Sequence, residues 1–108
     1  MRGMDVKDVF KLVRFSEEKM AKIPLFDSER MLIDLYALLP GQVQKVHAHK
    51  EQDKVYYVLE GEVVVTLGEE EALLAPGMAA LARAGVAHGV RNESGSRAVL
   101  LVVTAPRP

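Results

Sequence analysis

Cysteine is absent from this 108-residue chain, which removes disulfide frameworks, thiolate metal sites and cysteine nucleophiles together. Any bound metal must then be held by nitrogen and oxygen. An excess of charge of either sign is missing too: fourteen Lys and Arg stand against fifteen Asp and Glu, with three Tyr, three Phe and no Trp. Without a basic run or an aromatic surplus there is no electrostatic footprint for nucleic acid, and no nucleic-acid partner is expected. No stretch approaches the ~20 consecutive apolar residues that span a bilayer, so no membrane partner is expected either. The first seven residues, Met1 to Lys7, are too polar for a signal peptide, and the expected location is the cytoplasm. A chain of this length has room for one domain with a real core.

What is present reads mainly as short strands. Residues 5–15 place Val6, Val9, Phe10 and Val13 at helical spacing, which predicts one short amphipathic helix capped by Asp5. Residues 16–28 are charged and carry Pro24, so they read as irregular structure. Residues 31–39 are apolar and end at Pro40 and Gly41, favouring a buried strand with helix as the alternative. Residues 54–59 and 63–67 are β-branched and aromatic on either side of Gly61, the strongest hairpin signal in the chain. Further short apolar pieces at 71–75, 79–82, 88–91 and 98–104 are separated by Gly or Pro, a pattern that argues for an all-β sandwich or closed barrel. The expected organisation is an N-terminal helix and irregular arm over residues 1–30, followed by a β-barrel over 31–105.

The chain has three histidines, His47, His49 and His88. On an extended strand residues i and i+2 face the same side, so His47 and His49 present two imidazoles together. A third imidazole from a distant strand would complete a nitrogen face suited to a divalent transition metal: Fe, Mn, Ni, Cu or Zn.

These residues resemble the two motifs of the cupin superfamily. In the first motif a glycine, a His-x-His pair, a glutamate and a second glycine follow at fixed spacings, and Gly41, His47, His49 and Gly61 occupy their positions. In the second, Gly77, Gly85, His88 and Asn92 fall into place, with Arg83 standing where the family has proline. The resemblance implies a single-domain jelly-roll barrel with a short N-terminal helix, commonly a homodimer, that binds a small molecule in its cavity. It implies His47, His49 and His88 as metal ligands, with Lys54, Tyr56, Asn92 and Arg83 as candidates to line the substrate cavity. It does not select a reaction. If the chain is an enzyme, metal-dependent dioxygenase, isomerase or cyclase chemistry is expected; the alternative is a non-catalytic ligand-binding or sensor protein without metal.

The departure from the motif lies at the glutamate. Seven residues before Gly61 stands Lys54, an ammonium with no lone pair to give a metal. Asp53 has suitable chemistry but is one residue out of phase, and it becomes a ligand only if a bulge re-aims it. Three outcomes are open: a three-histidine site completed by water or Asp53, a Lys54 that points away from the site, or a Lys54 that takes the metal's place. Lys54 pointing away is compatible with the three-histidine site.

Overall fold

Among the described residues, valine, tyrosine and leucine runs that alternate inward and outward build nine antiparallel strands, because branched and aromatic side chains suit a pleated, half-buried surface. The computed structural model describes residues 4–108; the first three residues of the expected arm, and that part of the signal-peptide reading, lie outside them. The strands are β1 (Ala21–Asp27), β2 (Leu32–Leu38), β3 (Val43–His47), β4 (Asp53–Glu60), β5 (Val63–Leu67), β6 (Glu70–Leu74), β7 (Ala79–Ala82), β8 (His88–Arg91) and β9 (Ala98–Ala105). One sheet runs β1-β2-β9-β4-β7 and the other β3-β8-β5-β6, giving the jelly-roll barrel.

Between the sheets lie Tyr36, Leu38, Tyr56, Val58, Val63, Val65, Leu74, Val90, Ala98, Leu100 and Val102, all buried. They come from alternate positions, so the odd-phase neighbours Leu35 and Ala37 face the other side of the larger sheet. There they meet Ile23 and Leu25 and are covered by Val9, Leu12, Val13 and Phe15.

That second cluster corrects the expectation for the N-terminal arm. The helix is a single turn, α1 (Val9–Leu12), with Asp8 rather than Asp5 at its N-cap and no capping hydrogen bond from the side chain. Val13 is already extended. A single turn is marginal by itself, and the packing of its apolar side chains on the sheet sets the conformation instead. Within the segment expected to be irregular, β1 is an edge strand beside β2. Pro24 is tolerated there because an edge strand need not use every N–H, and the register shifts between Pro24 and Phe26.

The expected hairpin across Gly61 is also corrected. β4 pairs with β9 and β7, whereas β5 pairs with β6 and β8. Gly61 carries the chain from one sheet to the other. Its φ is +76°, and a Cβ there would run into the backbone of Arg97 and Ala98, so this crossing requires glycine.

The element that positions the site is β3. Gln44 lies opposite Val90 and His47 opposite His88, so three steps on β3 match two on β8. This bulge puts Gln44 and His47, which differ in phase, on the same inner face. The extra residue sits over Gly89, where a Cβ would stand 2.8 Å from the carbonyl oxygen of Gln44 and 3.0 Å from the nitrogen of Val46. Gly89→Ala is therefore expected to cost about 1–3 kcal/mol by forcing β3 off β8. Urea denaturation measures it, and a wild-type midpoint would show that this contact does not hold the bulge.

Candidate functional site

Three imidazoles converge at one end of the barrel. His47 closes β3, His49 follows two residues later, and His88 opens β8 directly opposite His47. One ligand atom from each ring lies within 4.8 Å of the others. The ring centroids are 4.7 Å apart for His47 and His49, 4.6 Å for His47 and His88, and 5.6 Å for His49 and His88. The first two rings are half-buried, and His88 is buried.

Backbone carbonyls set the tautomers. His47 Nδ1 lies 2.9 Å from the Lys45 carbonyl, and His88 Nδ1 lies 2.9 Å from that of Val86. A carbonyl only accepts, so both Nδ1 atoms carry hydrogen and the Nε2 lone pairs are left for the interior. His47 Nε2 stands 3.0 Å from His49 Nε2. Two nitrogens each ~2.1 Å from one ion and at right angles to each other would be separated by about this distance. His88 Nε2 is buried with no hydrogen-bond partner among the described residues. Burial pulls the pKa of both His49 and His88 below the usual imidazole value, with the charge of Lys54 adding to it. Neutral rings with free lone pairs are the form that binds metal.

The other candidates from the sequence separate into two groups. Lys54 and Tyr56 face inward and are buried, which removes the reading in which Lys54 points away. Lys54 Nζ donates to Tyr36 Oη at 3.4 Å. Gln44, unnoticed in the sequence, ties the two tyrosines together: its Nε2 donates to Tyr36 Oη at 2.8 Å, and its Oε1 accepts from Tyr56 Oη at 2.7 Å. Burial raises both phenols, Tyr36 to about 12, so they remain protonated. Tyr56 reaches the histidines, its ring centroid lying 6.2 Å from that of His88. Asp34, also unnoticed, is buried near this network and pairs with the exposed Lys22 at 3.8 Å.

Asp53, Asn92 and Arg83 lie elsewhere. Asp53 is exposed, one step out of phase with Lys54, and its Oδ1 accepts from the Ala84 amide at 2.8 Å. It is not in the ligand group; no bulge re-aims it. Instead it braces the turn after β7, in which the Gly85 amide donates to the His49 carbonyl at 2.7 Å. Asn92 is buried but turned away from the cavity. Its Nδ2 donates to the Leu38 and Ser96 carbonyls, and its Oδ1 accepts from the amide and hydroxyl of Ser94. Four such bonds make it an organiser of the loop after β8. Arg83 is exposed in the same turn as Ala84, and its carbonyl accepts from the Val86 amide.

Comparison with known proteins agrees with this architecture. The family model described as the cupin domain matches residues 34–104. An uncharacterized protein of Streptomyces coelicolor is 34% identical over 103 residues, covering 90% of this chain and 95% of the relative. The crystal structure of TT1209 from Thermus thermophilus superposes with a TM-score of 0.95 at 74% identity, over 97% of this chain and 100% of that one. A conserved Klebsiella pneumoniae protein with a double-stranded β-helix domain has a TM-score of 0.89 at 23% identity, over 96% and 91% of the two chains, and shares the fold.

Lys54 gives the site a signature in pH. Burial, with Lys22 adding repulsion and Asp34 opposing it, brings its pKa from 10.5 down to about 8. Between these values the unfolded chain holds the proton that the folded chain has released, so stability rises with pH. The penalty is full below the lower value and gone above the upper one. Urea unfolding at about pH 8 and about pH 10 should differ by roughly 2–3 kcal/mol in favour of the higher pH. The difference should vanish in Lys54→Met; a wild-type slope of zero would contradict the burial of a charged Lys54.

Proposed function

Because this chain belongs to the cupin family, we propose that it is a metal-binding cupin that binds or transforms a small organic molecule at the mouth of its barrel. The observation that carries this reading is the orphaned, buried Nε2 of His88, aimed at a point shared with His47 and His49. A buried nitrogen without a partner is costly unless something binds it. His47, His49 and His88 would hold a divalent transition metal, which supplies a Lewis-acid centre with positions left for a ligand. The carbonyls of Lys45 and Val86 orient the first and third rings, and the Gly85 amide holds the backbone of His49. Tyr56 and Gln44 present a neutral, hydrogen-bonded wall beside His88. Family membership does not choose among dioxygenase, isomerase and cyclase chemistry.

A second reading, a ligand-binding cupin without metal, is favoured by one observation: a buried cation, Lys54, stands at the position from which the family's glutamate would complete the site. Metal analysis separates the two. Protein purified without a histidine tag from metal-replete cells should carry about one transition metal ion per chain, and His88→Ala should lose at least ~100-fold in metal affinity. Metal-free wild type would favour the second reading.

We also propose that two copies pair. The outer face of the larger sheet joins Val55 and Tyr57 of β4 to Leu81 of β7, and Tyr57 and Leu81 are 38% and 42% exposed. A contiguous apolar face of this kind suits association with a second copy. Sedimentation velocity should show a dimer that Tyr57→Glu dissociates; a monomeric wild type would exclude it. Among the described residues no helix is long and apolar enough to cross a membrane.

A further inference from the structure

We propose that Lys54 is the anion-binding arm of the site, its ammonium taking the carboxylate of a small organic acid whose neighbouring oxygen lies at the three histidines. The second contact rests on the metal reading above.

The Lys54 ammonium has too few partners. It is 4% exposed, and an ammonium has three hydrogens to donate. Among the described residues it meets one acceptor, Tyr36 Oη, at 3.4 Å, beyond the usual range for an N–H donor. Among those same residues it makes no ion pair. The charge of the buried Asp34 carboxylate reaches Lys54 without an ion pair between them, Asp34 lying 3.8 Å from Lys22. Buried cations are ordinarily in contact with an anion, so one that faces inward without such a contact calls for an anion from outside.

Its surroundings point the same way. Lys54 and Tyr56 share the inner face of β4, and opposite them on β7 stand only Ala82 and Ala80. Those methyl groups offer the ammonium no polar partner on that side. Tyr36 lies under the ammonium, with 5.9 Å from Nζ to the ring centroid, and Tyr56 leads on to His88. The charge of Lys54 is felt at both His49 and His88. A divalent ion on three neutral imidazoles, beside this ammonium and with no carboxylate among the ligands, makes a site of strongly positive charge. Such a site selects an acid over a neutral sugar or alcohol.

The test uses the full chain loaded with manganese(II), metal content being measured on every sample. Pyruvate and malonate are titrated calorimetrically, with pyruvamide as the neutral control. Wild type should bind at least one of the acids and not the amide. Lys54→Met and Lys54→Gln should keep the metal and lose at least ~10-fold in acid affinity, the scale of one lost charge-assisted hydrogen bond. Lys54→Met should also melt higher than wild type, because a residue kept for binding rather than packing leaves an unpaired charge behind in the core. Retained metal with unchanged acid affinity in both variants would overturn the assignment of Lys54. So would wild type that binds neither acid, or that binds pyruvamide as well as pyruvate. Wild type that fails to take up manganese would show in the metal measurement itself, and would overturn the metal reading and this one together.

Discussion

The site depends on one close approach, the bulged backbone of β3 passing over Gly89 on β8. A strand without the bulge would keep Gln44 or the two histidines inside, but not both. With it, Gln44 can bridge Tyr36 and Tyr56 while His47 and His49 face His88. Tolerance for the bulge comes from a missing side chain rather than from an added contact, since any Cβ at position 89 would press on the bulged backbone. The polar network and the imidazole cluster are thus consequences of a single steric allowance between two neighbouring strands.

How much of this was legible follows from what a linear pattern encodes. Spacing of two on a strand puts His47 and His49 together, and the phase of Lys54, Tyr56 and Val58 carries them inside as a set. Gln44 was not legible, because a bulge reverses phase without leaving a mark in composition. Asp53 was left open for the same reason, and here β4 keeps a regular register from Asp53 to Val58, which holds Asp53 outside. The segment around Gly61 reads as a hairpin because a glycine between two strands looks the same whether they pair or pass to different sheets. Only the approach of Arg97 and Ala98 decides it. β1 was hidden by Pro24, whose exclusion holds for central strands and not for an edge. Asn92 shows the limit of a motif match: it stands at the family's spacing and serves the loop, holding Leu38 and Ser96 rather than a ligand.

Electrostatically the barrel is built in two halves of unlike character. The apolar half is closed by Leu38, Val58, Val63, Val65 and Leu100. The polar half concentrates imidazoles, phenols and an ammonium, with Asp34 the one buried carboxylate among the described residues, and that carboxylate is already paired with Lys22. Burial raises the pKa of both phenols, so they stay protonated, and lowers those of His49 and His88. The arrangement sacrifices some folding free energy at Lys54 and His88, in the way binding sites commonly do.

The turn between β7 and β8 joins parts that are far apart in the chain. Asp53 receives its Ala84 amide, the next amide holds the carbonyl of His49, and three residues further on the same segment becomes His88. Displacing this turn would therefore disturb two of the three imidazoles together while leaving the third on its strand. His49 and His88 are thus placed or displaced together, and a form in which only one of these two has let go has little structural basis.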